Sequence, residues 1–162
     1  MPMGQLPVLE GKEGMLCQSG AIIRYLAKQC GIDGKTPWEQ AKADMLVSGT
    51  FDIVEAVHPQ LVAIINNDKS LQMQEWDKFE KKCLANFLKT YSKFLACSKS
   101  GWFVEDSFTY ADIAVAEILS CLQDCYCDKA LDGYDNLKAF TNKVLSLPGI
   151  KEYVAKRPKT KF

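Results

Sequence analysis

The constraint on this chain is a stretch near its middle, Phe108-Thr109-Tyr110-Ala111-Asp112-Ile113, and the run that follows it. Ile113, Ala114, Val115, Ala116, Ile118, Leu119 and Leu122 leave the predicted helix apolar all round. Such a helix is stable only when other elements surround it. Its start is specified locally: Thr109 is placed to cap, Asp112 answers from the third helical position, and Phe108 with Ile113 forms a hydrophobic staple. Loss of that cap is expected to cost about 1 kcal/mol or more. The rest of the chain must therefore supply a helical wrapping for this segment.

The sequence on either side provides it. Thr36-Pro37-Trp38-Glu39 is a second capping box with proline at the first helical position. From there Leu46, Ile53, Val57, Leu61 and Ile64 recur at helical spacing, while Pro59 predicts a kink or break near His58. Asn66-Asn67-Asp68-Lys69 reads as a turn with Ser70 as the next cap. Met73, Trp76, Phe79 or Glu80, Cys83, Phe87, Tyr91 and Phe94 then trace a long amphipathic helix, ended at Ser98–Gly101. Two long helices joined by a short loop begin a bundle. Tyr134-Asp135-Asn136-Leu137 opens another helix, with Asp135 as cap and Leu137, Phe140, Val144 and Leu147 inward, and a last short helix follows Pro148-Gly149.

The N-terminal stretch has a different grammar. Pro7-Val8-Leu9-Glu10 is a short strand, Gly11–Gly14 a turn, Met15-Leu16-Cys17 a second strand, and Ser19 the expected cap of a helix that carries Ile22, Ile23, Leu26 and Ala27 and stops at Gly31. A cis bond at Pro7 would leave the Leu6 backbone N–H and C=O facing outward, free to pair with an extended peptide. A helix start at Ser19 offers a hydroxyl and first-turn N–H groups to a carboxylate. Together they describe a grip for a small acidic peptide. Gly31-Ile32-Asp33-Gly34-Lys35 is a linker by composition, and the domain boundary is placed there: 1–35 and 36–162.

The order Gly4-Gln5-Leu6-Pro7-Val8-Leu9-Glu10, followed by Gln18-Ser19-Gly20-Ala21-Ile22-Ile23-Arg24-Tyr25-Leu26-Ala27, resembles the glutathione-binding strand–turn–helix of the glutathione transferases, the sigma class (prostaglandin D synthases and S-crystallins) above all. The resemblance implies an α+β, mainly α fold: the C-terminal part of a thioredoxin-like domain (β-hairpin plus helix) over 1–35, then an all-helical transferase C-terminal domain over 36–162. It implies glutathione as co-substrate, its cysteinyl backbone held at Gln5, Leu6 and Pro7 and its γ-glutamyl carboxylate at Gln18 and Ser19. Asp52 resembles the aspartate that reaches from a partner subunit to the γ-glutamyl amine, so a homodimer is expected of a complete member. The family's opening βαβ unit has no counterpart, since residue 1 corresponds to a point just before the third strand. The catalytic tyrosine, the arginine beside it and the tryptophan and lysine on the glycyl carboxylate belong to that unit, and no catalytic residue is assigned here. The family usually has glycine where Glu105 stands and proline where Asp135 stands. Sigma-class prostaglandin synthases have acidic residues where Ser48 and Phe51 stand, so no metal is expected.

Composition narrows the rest. Twenty basic and twenty acidic residues cancel, which gives no pull toward nucleic acid, and no apolar run is long enough to span a bilayer. Seven cysteines, dispersed and without a C-x-x-C pair, point to free thiols and a cytoplasmic chain. Cys121, Cys125 and Cys127 read as core packing rather than a zinc site, Cys17 as a plain thiol, and His58 as part of a kink. Phe51, Val54 and Phe162 are candidate walls of an apolar substrate pocket or else core.

The expected function is a sigma-like glutathione transferase, in which glutathione thiolate attacks a small apolar electrophile or peroxide. The alternative is a non-catalytic relative, crystallin-like or a dimerising fragment. With the first strand absent, residues 1–35 are expected to be more mobile than the helical domain.

Overall fold

The computed structural model describes residues 2–158; Phe162 lies outside them. Two strands, β1 (Val8–Gly11) and β2 (Gly14–Cys17), form an antiparallel hairpin in register Val8↔Cys17 through Gly11↔Gly14. Among the described residues seven α-helices follow: α1 (Ser19–Cys30), α2 (Pro37–Ile65), α3 (Lys69–Phe79), α4 (Ala85–Cys97), α5 (Tyr110–Cys121), α6 (Asp135–Leu145) and α7 (Ile150–Lys156). Single π-helical turns continue α3 into α4 (Glu80–Leu84) and extend α5 (Leu122–Tyr126). No helix among the described residues is long and apolar enough to cross a membrane.

The apolar segment from Ile113 is the centre of the molecule. Val115, Ala116, Leu119 and Leu122 of this segment are buried, against α2 on one side and α6 on the other. Its start is held by the Asp112 carboxylate, which is fully buried (0% exposed). Oδ2 accepts from the Thr109 N–H at 2.7 Å and the Thr109 hydroxyl at 3.2 Å, and Oδ1 accepts from the Phe103 N–H at 2.9 Å. Burial raises the Asp112 pKa above the ordinary carboxylate value, and the donors from Phe103 and Thr109 pull it back. Through Phe103 the same group pins the loop before α5. There the Phe103 ring meets Phe140 edge-on at 4.8 Å and Tyr91 at 5.7 Å.

The long helices differ from the periodic reading in instructive ways. Thr36 does cap α2 by accepting from Glu39 N–H, but the Glu39 carboxylate returns to the Lys35 N–H, one residue further out than a standard box. The helix does not break at Pro59; it runs unbroken to Ile65. Asp68, not Ser70, caps α3, accepting from Leu71 N–H at 2.9 Å. The π-turn inserts one extra residue, so the apolar stripe advances from Phe79 to Leu84, Phe87, Leu88 and Tyr91. Phe79 is the inward residue and Glu80 the outward one, while Met73 and Phe94 at the ends stay exposed. At α6 the cap position is Tyr134, and Asp135 is the first helical residue.

Two backbone positions explain sequence choices. Glu105 has φ 46°, in the left-handed region, which accounts for the glycine expected there. Its backbone carbonyl accepts from Ser100 Oγ at 2.5 Å, and its side chain pairs with Lys42. Gly49 faces Tyr91: a Cβ built on Gly49 would stand 2.4 Å from the Tyr91 hydroxyl, which donates to Leu46 O at 2.6 Å. Only hydrogen at position 49 leaves room for that bond.

The hairpin contributes nothing fully buried, and α1 contributes Ala27. The helix ends as expected at Gly31, φ 66°. This part is tied to the helices behind it in part through Ala27, which joins the common core, and through the Tyr110 N–H of α5, which donates to Ile32 O at 2.9 Å.

Asp112→Ala leaves three donors without an acceptor and is expected to destabilise the fold by about 3 kcal/mol, measured by denaturant unfolding. In hydrogen exchange, the amides of residues 8–30 are expected to exchange at least tenfold faster than those of Val115–Leu119, because a two-stranded hairpin with no buried residue opens locally. Equal protection of both segments would overturn that expectation.

Candidate functional site

The Leu6–Pro7 peptide bond is cis, and Leu6 is 80% exposed, directly ahead of β1. The β1–β2 register ends at Val8↔Cys17, so Pro7 and Gln18 continue from the same end of the hairpin. Gln18 Nε2 donates to Met3 Sδ at 3.4 Å, which brings the 3–7 segment alongside the start of α1. Gln5, Leu6, Pro7, Gln18 and Ser19 are thus gathered at one exposed corner.

The helix start differs from expectation. Gln18, not Ser19, is the cap position, with φ 74° and ψ 110°, and no side chain caps the helix. Ser19 is the first helical residue. A non-glycine residue held in so sparsely populated a conformation costs about 1–3 kcal/mol and persists only where its surroundings over-determine it. Gln18 O accepts from Ala21 and Ile22 N–H, both at 2.9 Å. The Ser19 and Gly20 amides find no acceptor among the described residues and stand open beside the exposed Ser19 hydroxyl, an arrangement that can receive an anion.

Asp52 lies on α2, one residue beyond Phe51. It is exposed and has no hydrogen-bond or ion-pair partner among the described residues. Its neighbour Phe51 reaches the corner: a Cβ on Gly20 would lie 3.3 Å from Phe51 Cε2. Phe51 and Val54 are part-exposed, at 36% and 51%, and do not belong to the buried core.

Periodicity gave no hint of a charged cluster behind α1. Arg24 Nε donates to Asp44 Oδ1 at 2.7 Å, Arg24 Nη1 donates to Gly20 O at 3.1 Å, and the Tyr110 hydroxyl donates to the same Asp44 oxygen. These groups join α1, α2 and α5 and are distant in sequence. Burial raises the Asp44 pKa, but the Tyr110 hydroxyl and the Arg24 guanidinium outweigh it and hold the carboxyl below its ordinary value. Burial and the Asp44 carboxylate in turn push the Tyr110 hydroxyl well above the usual tyrosine range.

Three further tyrosines are also engaged. Tyr25 donates to Glu13 at 3.2 Å and Tyr91 to Leu46 O, and burial pushes Tyr126 up to about 12. Burial and the neighbouring Cys125 push the Cys121 thiol up as well, to about 12. A cleft of ≈ 570 Å³ lined by Lys42, Met45, Phe94, Trp102 and Phe103 lies between α2, α4 and the loop after α4, and no corner residue lines it.

Because Asp44 has a lower pKa folded than unfolded, its contribution is complete above the unfolded value of about 3.9 and is lost as pH falls through the folded one. Unfolding free energies measured from pH 6 down to pH 3 are expected to fall less steeply at the acid end for Asp44→Asn than for the wild type.

Known proteins similar to this chain identify its family. The sequence model of the glutathione S-transferase C-terminal domain matches residues 54–157, and that of the N-terminal domain matches residues 1–28. Glutathione S-transferase 1 of Ascaris suum is 34% identical over 161 residues, 99% of this chain and 78% of that protein. The crystal structure of the glutathione S-transferase from Ascaris lumbricoides superposes with a TM-score of 0.92 at 33% identity, covering 100% of this chain and 78% of that one. A prostaglandin synthase D of Nilaparvata lugens gives 0.84 at 26% identity, covering 98% and 77%. With both domain patterns matched and the fold shared along the whole chain, this protein belongs to the glutathione S-transferase family.

Proposed function

We propose that this chain is a sigma-like glutathione transferase subunit that binds glutathione at the Leu6–Ser19 corner. In this reading residues 1–35 are a partial thioredoxin-like, glutathione-binding domain and residues 36–162 the helical domain. The Leu6 backbone pairs with the cysteinyl unit between Gln5 and Pro7, while Gln18 and Ser19 receive the γ-glutamyl carboxylate. Asp52, unpaired on α2, serves the glutathione amine of a partner subunit in a homodimer. Phe51 and Val54 face the second, apolar substrate. The observation that carries this reading is the juxtaposition of the open Ser19 and Gly20 amides with the exposed Leu6 edge. The reaction is attack of glutathione sulfur, after loss of its proton, on an electrophilic or peroxidic apolar compound, with departure of the leaving group. The compartment is the cytoplasm.

A second reading, a non-catalytic member, is favoured by the tyrosines. Tyr25, Tyr91 and Tyr110 each donate to an acceptor within the chain, so none of these hydroxyls is free to donate to a glutathione sulfur.

Calorimetric titration with glutathione tests the binding claim. The wild type is expected to bind and Ser19→Ala to bind about tenfold more weakly, the loss of one hydrogen bond to a charged group. Absence of binding at millimolar glutathione would overturn the reading. Turnover of a model electrophile separates the enzyme from the non-catalytic relative.

A further inference from the structure

The first turn of α1 has a problem that its own sequence does not solve. Gln18 is strained at φ 74°, and no side chain caps the helix. Helix ends without a cap fray, and a strained residue relaxes unless held. Two groups from outside the turn converge on Gly20. Arg24 Nη1 donates to Gly20 O at 3.1 Å, and the Phe51 ring fills the space where a side chain at position 20 would stand, 3.3 Å from its Cβ. Arg24 is itself anchored on Asp44 of α2, whose oxygen also takes the Tyr110 hydroxyl of α5. The guanidinium thus bridges two acceptors with separate arms, Nε on the carboxylate and Nη1 on the carbonyl.

We propose that Arg24 and Asp44 are positioning residues for carboxylate recognition, fixing the first turn of α1 so that the Ser19 and Gly20 amides are presented to the peptide's γ-glutamyl carboxylate. This rests on the glutathione-binding reading above. Asp44 neutralises Arg24 locally, so the contribution is geometric and not a matter of added positive charge. Lysine, a point charge without the fork, does not replace arginine in such a role. Tyr110 supports Asp44 from α5, but the Arg24 fork stays complete without it.

The experiment is calorimetric titration of the wild type, Arg24→Lys, Asp44→Asn and Tyr110→Phe with two ligands. One is glutathione; the other is glutathione amidated at the γ-glutamyl α-carboxylate, which keeps the contacts to the Leu6 edge. Arg24→Lys and Asp44→Asn are expected to weaken glutathione about tenfold while leaving the amidated peptide unchanged, so that the preference for the free carboxylate shrinks by the same factor. Tyr110→Phe, which removes the support of Asp44 but leaves the Arg24 fork in place, is expected to weaken glutathione less than either of them. Unchanged glutathione affinity in both Arg24→Lys and Asp44→Asn would overturn the role. Equal loss for both ligands would also overturn it, because a general loosening of the fold affects them alike. A wild type that binds glutathione no better than the amidated peptide refutes the carboxylate reading itself, a result distinct from either of those.

Discussion

The buried carboxylate of Asp112 is the interaction on which the molecule depends. A charge withdrawn from water must have its lone pairs occupied, and here three donors from two segments occupy them. One segment is the start of α5, the helix packed between α2 and α6. The other is the loop carrying Phe103, whose ring stitches α4 to α6 through Tyr91 and Phe140. The same loop is further secured by Lys143, which donates to Gly101 O and lies 3.4 Å from the centre of the Trp102 ring. A local cap has become the junction of a tertiary structure.

That junction also reaches the candidate site. Tyr110 follows Thr109 directly, so the cap sets its position. Its amide holds Ile32 at the end of α1, and its hydroxyl holds Asp44 behind the start of the same helix. The corner that would meet a peptide has little core of its own, and its orientation is borrowed from the interior of the helical domain. This explains how a hairpin with no fully buried residue keeps the fold of the solved transferases to which it is similar.

Much of this was legible in the sequence where the cause is local. The caps at Thr36 and Thr109, the glycine stop at Gly31 and the hairpin are set by residues within a few positions of one another. The π-turn was not legible, because a helical period carried through Cys83 gives no sign that one extra residue moves the stripe to Leu84. Ser19 carried the chemistry of a cap, yet the strained Gln18 took the cap position, a choice made by the surroundings. The Arg24–Asp44–Tyr110 cluster unites residues up to 86 positions apart through side chains that look like ordinary surface and core, and only the packed helices bring them together. Glu105 shows the converse: an odd residue in the sequence became intelligible once its φ was known.

The close approach of Gly49 to Tyr91 carries a consequence for how such a chain can change over time. A methyl group at 49 and a hydroxyl at 91 would claim the same space, so neither position can vary freely while the other stays as it is. Exchange of tyrosine for phenylalanine would have to come first, opening room before any larger residue entered α2. The two sites form a single heritable unit with a preferred order of substitution, written into the spacing of two helices.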